Sequence, residues 1–184
     1  DQSSARRRTF DLRQTVEEML SALRLTFKHS PHQIDVDIPA RVMVDSYPGP
    51  LEQVIANLVS NAVNHGFVGV ERGHILLQAT AVGETQVQLR CVDDGVGMPP
   101  ATLKRIFEPF FTTRLGQGGS GLGLYVVYNL VTGVLGGTIE VESTAGKGSS
   151  FTVSLPRSAP ERAAAEAGAN DGPHSRRRTS GPIA

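Results

Sequence analysis

Residues 116–130 read GQGGSGLGLYVVYNL. Five glycines fall within residues 116–123, and an apolar run follows at once. Glycine loses more backbone freedom on folding than any other residue, so such a cluster in an ordered segment marks a place where the backbone itself must come close to something. The apolar run predicts a helix from Ser120. The glycines then precede a helix N-terminus, where free N–H groups and the positive end of the dipole form an anion site. Immediately upstream, FEPFFTTRLGQ (107–117) is polar, with exposed aromatics and glycine, and reads as the start of a lid over a ligand at 108–119.

Two nucleotide-binding patterns compete for these glycines. Gly116, Gly118 and Gly121 fit G-x-G-x-x-G, and Glu140 lies about 20 residues on, as a dinucleotide fingerprint asks. No clean strand precedes the glycines, however, and two further constellations stay unexplained. A Walker phosphate loop is absent, because AGKGS (145–149) lacks the first glycine and a hydroxyl directly after the lysine.

The first of those constellations lies on LEQVIANLVSNAVNHGF (51–67), within a predicted helix over 49–65. Leu51, Val54, Ile55, Leu58 and Ala62 form its buried stripe, and Asn57, Asn61 and Asn64 run beside it at spacings of four and three. Asparagine is a mediocre helix former because it competes for backbone hydrogen bonds, so three in one stripe need a reason. Amide oxygens ligate a hard cation such as Mg²⁺ together with phosphate oxygens; a solvated polar face is the alternative. The second is DDGVGM (93–98), an aspartate at the end of an apolar strand followed by Gly95 and Gly97. A carboxylate only accepts hydrogen bonds, so it suits an exocyclic amine such as adenine's, and glycines let a ring approach the backbone. An Asp-Gly pair is also a common strand-ending turn.

Around these motifs the pattern between Phe10 and Pro156 is α/β. Residues 12–28 predict a helix with Leu12, Val16, Met19, Leu20, Leu23 and Phe27 on one face. HQIDVDI and RVMVD predict short strands; residues 73–94 predict a hairpin turning near Gly83 and Glu84. A short helix is expected around MPPATLKRIF, and GGTIEVESTAGKGSSFTVSLP predicts a second hairpin closed by TAGKG. The expected fold is a two-layer α/β sandwich: a mixed, mostly antiparallel sheet of about five strands with three helices on one face.

The chain has 184 residues, 39% hydrophobic, with 18 basic and 18 acidic residues. Zero formal charge gives no global attraction to nucleic acid or to an anionic membrane. The apolar runs are too short to span a bilayer and no signal peptide is visible, so a cytoplasmic domain without direct membrane contact is expected. The lone Cys91, in the apolar run VQLRCVDDG, reads as an inert core thiol and agrees with a reducing compartment. The chain opens on Asp1, and a piece of a longer protein is expected. Residues 1–9 read as a linker from an upstream domain, and 157–184 as a disordered tail too poor in large apolar side chains to offset its ordering entropy.

Taken together and in this order, the motifs resemble the ATP-binding catalytic domain of bacterial sensor histidine kinases, in the GHKL superfamily with its Bergerat fold. NLVSNAVNH resembles the N box, DDGVGM the first glycine box, IFEPFFTTR the F box, GGSGLGL the second glycine box, and residues 136–156 the closing hairpin. The resemblance covers residues 10–156 and implies ATP and Mg²⁺ as ligands. It implies that Asp93 accepts a hydrogen bond from the adenine amino group, with Gly95, Gly97 and Met98 beside the ring. It gives Asn61 to Mg²⁺ with Asn57 in support one turn earlier. Gly119, Ser120, Gly121 and Gly123 shape the phosphate side, with Leu122 and Leu124 anchoring the turn. Thr112, Thr113 and Arg114 belong to the lid, and Ser149 stands where relatives often carry a threonine near adenine. Phe107 and Phe110 are expected in lid packing or partner contacts.

Two departures stand out. Many such kinases carry lysine three residues after the metal asparagine; here it is Asn64. An aromatic often follows, and here it is His65, which either touches ribose or phosphate or ends the helix. Hydrolytic relatives such as gyrase and the heat-shock chaperones carry glutamate where this chain has Asn57, and an amide is no general base. The resemblance therefore implies phosphoryl transfer to a histidine on an upstream dimerisation domain, then relay to a response regulator receiver domain. A degenerate nucleotide-binding scaffold and a serine kinase of the anti-sigma type are the alternatives. His29 and His32 read as structural.

Overall fold

A computed structural model describes residues 6–27, 30–113 and 120–161. The element order is β1 (Arg8–Asp11), α1 (Leu12–Thr26), β2 (Gln33–Asp37), β3 (Met43–Ser46), α2 (Pro48–Asn61), β4 (His74–Val82), β5 (Gln86–Asp93), α3 (Pro100–Leu103), α4 (Gly123–Asn129), β6 (Thr138–Ser143) and β7 (Ser149–Pro156). Five strands form one sheet in the order β2-β4-β5-β7-β6; β2 pairs parallel to β4 and the other pairs are antiparallel. β1 and β3 form a separate antiparallel ribbon. This is the expected α/β sandwich with a mixed five-strand sheet.

The alternation of the strands decides which side chains face the helices. Val87, Leu89, Cys91 and Asp93 of β5 are all buried, as are Ser149, Phe151, Val153 and Leu155 of β7. Period-2 geometry thus carries an aspartate and a serine to the same covered face as the core. Helix α1 starts where the Asp11 carboxylate accepts the Gln14 N–H at 3.2 Å, and it buries Leu12, Val16 and Leu20. Helix α2 starts with Pro48 and buries Leu51, Val54, Ile55, Leu58 and Val59. It does not stop at Asn61: a π-helical turn over Ala62–Gly66 continues it, and Phe67 N–H reaches back to Ala62 O at 3.0 Å. Helix α4 begins at Gly123 rather than Ser120, because Gly121 has φ +67 and cannot be helical; a π turn over Leu130–Val134 extends it.

Both expected boundaries need correction. Strand β1 begins at Arg8, inside the stretch read as linker, because Arg8–Asp11 finds a distant partner in Met43–Ser46. The expected tail also starts late. Asp45 N–H donates to Arg157 O at 2.7 Å, Ala159 N–H donates to Asp45 O at 2.8 Å, and Ala159 is buried. The remainder of that tail, 162–184, lies outside the described residues, as do His29, Arg114 and Gly119. His32 is structural as expected: its Nδ1 accepts the Gly73 N–H at 2.9 Å and its ring meets Phe67 at 4.4 Å. Cys91 is a core thiol whose pKa burial pushes up to about 12, with the Asp93 charge adding to it, so no thiolate forms at neutral pH.

Candidate functional site

A cleft of about 550 Å³ opens between α2, α3, α4 and the ends of β5 and β7. It is lined by Asn57, Asn61, Asn64 and His65 from α2 and its π turn, and by Asp93, Gly97 and Met98 after β5. Thr112, Thr113, Ser120, Gly121, Gly123, Leu124 and Ser149 complete the part of the wall that sequence singled out. Segments that are remote in the chain therefore meet here. Gly95 and Leu122 are not among the residues that line the cleft. Arg114 and Gly119 lie outside the described residues.

Asp93 sits at the base of this cleft with 5% exposure. Its Oδ1 accepts the Gly95 N–H at 3.0 Å. Burial pushes its carboxyl above the ordinary range, the N–H groups of Gly95 and Ser149 pull it back, and Asp94 pushes it up again. Among the described residues no cation is one of these influences, and a carboxylate has acceptor capacity beyond two N–H groups. The neighbouring Asp94 is committed elsewhere: it is exposed, and its Oδ1 accepts the His74 N–H at 2.7 Å. The two aspartates of DDG thus have separate tasks, set by strand alternation.

The floor around Asp93 is locked by loop-to-loop contacts. Gly146 N–H donates to Val96 O at 2.7 Å, tying the β6–β7 turn to the loop after β5. A Cβ on Gly97 (φ +66) would overlap Thr144 O, and one on Gly148 (φ +82) would overlap Asp93 O. Only glycine fits either place. Gly95 is equally confined, because a Cβ there would overlap Gly66 O. The Ser143 hydroxyl donates to Gly148 O at 2.9 Å and accepts the Met98 N–H at 2.8 Å, and the Ser149 hydroxyl lies 3.0 Å from it. Ser143 and Gly148 were not singled out as site residues in the sequence, where the motif TAGKG reads only as a turn.

The opposite wall is assembled from side chains. Asn64 Nδ2 donates to Ser60 Oγ at 2.9 Å, and His65 Nδ1 lies 3.4 Å from Thr113 Oγ1. A Cβ on Gly123 would stand 3.8 Å from Asn57 Oδ1, so α2 and α4 face each other at these residues. Gly121 has a reason unconnected with a ligand: a Cβ there would lie 2.5 Å from the Phe110 carbonyl carbon. Phe110 itself has φ +64 and is 72% exposed. The backbone of Gly121 therefore packs directly on that of Phe110. Thr102, Ile106 and Phe111 also line the cleft. Ile106 and Phe111 fall within the motif IFEPFFTTR, whereas Thr102 carried no signal of its own.

Residues 47–159 match the family described as Histidine kinase-, DNA gyrase B-, and HSP90-like ATPase. The chain belongs to that family. Among curated relatives of this ATPase family, the Two-component sensor PprA of Pseudomonas aeruginosa is 41% identical over 138 residues, covering 72% of this chain and 15% of the relative. The Sensor histidine kinase ZraS of Klebsiella oxytoca is 42% identical over 118 residues, covering 64% of this chain and 24% of the relative. The chain thus spans under a quarter of the length of these two curated relatives. The solved catalytic domain of histidine kinase ThkA superposes with a TM-score of 0.71 at 24% identity, over 83% of this chain and 97% of that one. Full-length ShkA in complex with AMPPNP superposes with a TM-score of 0.70 at 25% identity, over 85% of this chain and 32% of that one. The histidine-kinase type of GHKL ATP-binding domain is the common denominator of these matches.

Within that family domain, the donors present fit Mg²⁺ held jointly with a nucleotide. Among the described residues, no group of three or more His, Cys, Asp or Glu could hold a metal alone. Among the described residues the cleft instead offers the amides of Asn57, Asn61 and Asn64 and a single carboxylate, Asp93. A hard cation with an octahedral shell takes one or two such protein oxygens and draws the rest from phosphate and water.

Proposed function

We propose that this domain binds ATP·Mg²⁺ in the cleft and presents the γ-phosphoryl group to a histidine on a separate dimerisation domain, for relay to a response regulator receiver domain. The observation that carries this reading is Asp93, buried at the cleft base with Gly95 N–H on one oxygen and, among the described residues, no ion-pair partner. Its free acceptor capacity faces a space closed by Gly97, Met98 and Ser149, and an adenine amino group satisfies it. The resemblance to sensor kinases supplies the remaining roles.

Asn61, with Asn57 one turn earlier, would hold the cation, which when bound would neutralise charge on the transferring group. The chain's own residues then orient the nucleotide. Ser120, Gly121 and Gly123 bring backbone N–H groups to the phosphate side, and Thr112 and Thr113 cover it. Positioning and charge neutralisation are most of what phosphoryl transfer requires. Asp93 is the single carboxylate on the cleft wall among the described residues, and it is engaged at the base. Asn57 occupies the place where hydrolytic relatives carry glutamate, and it cannot take a proton from water. Transfer to an external nucleophile is therefore favoured over hydrolysis.

A second reading, a nucleotide-binding scaffold without transfer, is favoured by Asn64. It brings no positive charge where many kinases carry lysine, and its amide donates to Ser60. Calorimetry with ATP and ADP, with and without Mg²⁺, tests the binding step. Labelled ATP with a separate histidine domain tests transfer: acid-labile label on that domain supports the kinase reading. Tight binding without label on any histidine domain moves the reading to the scaffold, and acid-stable label moves it to a serine kinase. Self-labelling of this chain alone contradicts the need for a separate acceptor.

A further inference from the structure

Residues 157–160 read as tail in the sequence, yet they touch three elements that no short tail has reason to join. Arg157 N–H donates to Thr85 O at 2.8 Å, at the β4–β5 turn, and its carbonyl accepts from Asp45 of β3 at 2.7 Å. Ser158 pairs with Asp45 in a parallel bridge, and Ala159, at 2% exposure, returns its N–H to Asp45 O. The Asp45 carboxylate receives Arg7 at 2.6 Å, and Ser158 Oγ lies 3.4 Å from both it and Arg7 Nη2. The segment before β1 and the segment after β7 therefore share one anchor.

The last residue of this stretch goes further. Pro160 O accepts the Tyr47 hydroxyl at 3.0 Å, and Tyr47 is the buried residue that begins α2. The Pro160 ring lies against Gly136, which has φ +71 and where a Cβ would overlap Pro160 Cδ. Gly136 lies two residues past the π turn that ends α4, after its cap Leu135. Helices α2 and α4 face each other across the cleft at Asn57 and Gly123. Pro160 bridges the same two helices at their opposite ends. Simple extension of the β1–β3 ribbon explains the bonds to Asp45, but not the contacts to Tyr47 and Gly136.

We propose that residues 157–160 are a strap that fixes α2 against α4, with Tyr47 and Gly136 as positioning residues for the cleft, and that ties this placement to the incoming strand β1 through Arg7 and Asp45. A shift of the segment before Arg7 is then felt at the cleft through the strap. The consequence for ligand affinity rests on the nucleotide reading above; the strap itself does not.

Hydrogen exchange on the whole chain without nucleotide tests it, using Ala159→Asp to expel the strap and Tyr47→Phe to remove one bond without changing shape. Ala159→Asp is expected to speed exchange about tenfold at the start of α2 and at residues 134–137, as well as in β1 and β3. Tyr47→Phe is expected to speed it about threefold at the two helix ends and leave β1 unchanged. Faster exchange confined to β1 and β3, with both helix ends at the wild-type rate, overturns the proposal. Should Ala159→Asp fail to fold, Tyr47→Phe decides by the same criterion. ADP affinity of the folded variants is the second readout: about fivefold weakening for Ala159→Asp is expected, and loosened helix ends with unchanged affinity sever the strap from the cleft. If the wild type binds no nucleotide, the functional reading falls while the exchange data still decide the strap.

Discussion

At the Asp93 end of the cleft the wall is backbone. Gly146 is bonded to Val96, the Ser143 hydroxyl joins Gly148 to Met98, and Gly97 and Gly148 stand where a Cβ has no room. At the Asn57 end the wall is side chain: three amides, an imidazole and two threonines on α2, its π turn and a rim loop. The first end is shaped before any ligand arrives. The second is lined by side-chain groups, of which Asn64 donates to Ser60 and His65 stands beside Thr113. Under the proposed function a ring meets the first, backbone-built surface and a polyphosphate the second, polar one.

The contrast can be tested most severely through glycine. Gly148→Ala forces a side chain against Asp93 O at φ +82 and is expected to cost about 3 kcal/mol or more, seen as a lowered urea midpoint at unchanged slope. Gly123→Ala, at the other end, meets nothing nearer than Asn57 Oδ1 at 3.8 Å; it should hold stability or raise it by about 0.5 kcal/mol in the same assay. Equal losses for the two variants would remove the distinction between the ends.

Asp93→Asn comes next. Losing a charged acceptor should weaken nucleotide binding by about 2 kcal/mol, roughly 30-fold, read by calorimetry. Stability should not fall with it, because Asn retains an oxygen for Gly95 N–H and escapes the burial cost of the charge. The pH dependence follows in sign. The folded carboxyl has a raised pKa, so folding binds a proton between the unfolded value and the folded one, and stability from this group rises as pH falls through that window. The stability advantage of Asp93→Asn should therefore be greatest at neutral pH and shrink toward acid. Nucleotide affinity of the wild type should decline over the same window as the carboxylate is protonated. Asp45 behaves oppositely: Arg7 holds its carboxyl below the ordinary value, and its contribution is lost as pH falls through that lowered pKa.

Smaller effects belong to the side-chain end. Asn64→Lys adds a positive charge on an exposed turn and should tighten ATP binding about threefold at low salt, fading at high salt. Thr113→Val breaks only the 3.4 Å contact to His65 and should change affinity by less than about twofold, the scale of one weak exposed hydrogen bond.

The sequence carried the hairpins, because each is local and alternates cleanly: turns were expected at Gly83 and at TAGKG, and β4, β5, β6 and β7 flank them. It carried the Asn stripe and DDGVGM as well, since helical spacing and strand alternation are short-range rules. It did not carry β1, whose partner β3 lies more than thirty residues on, nor the docking of residues 157–160, whose composition is that of a tail. It missed the π turn at Ala62–Gly66, which keeps Asn64 and His65 on the cleft despite an irregular ladder. It also gave Gly121 to a ligand, whereas a chain crossing with Phe110 already requires it. Contacts between distant backbones leave no period in a sequence.

The two free margins of the five-strand sheet have one more consequence. Strand β2 bears Asp35 and Asp37 outward, and β6 bears Glu140 and Glu142, all exposed. Two copies that met margin to margin would set carboxylates opposite carboxylates, and like charges facing across strands repel. Acidic side chains on both outer strands of the described sheet thus disfavour its growth by edge-to-edge addition.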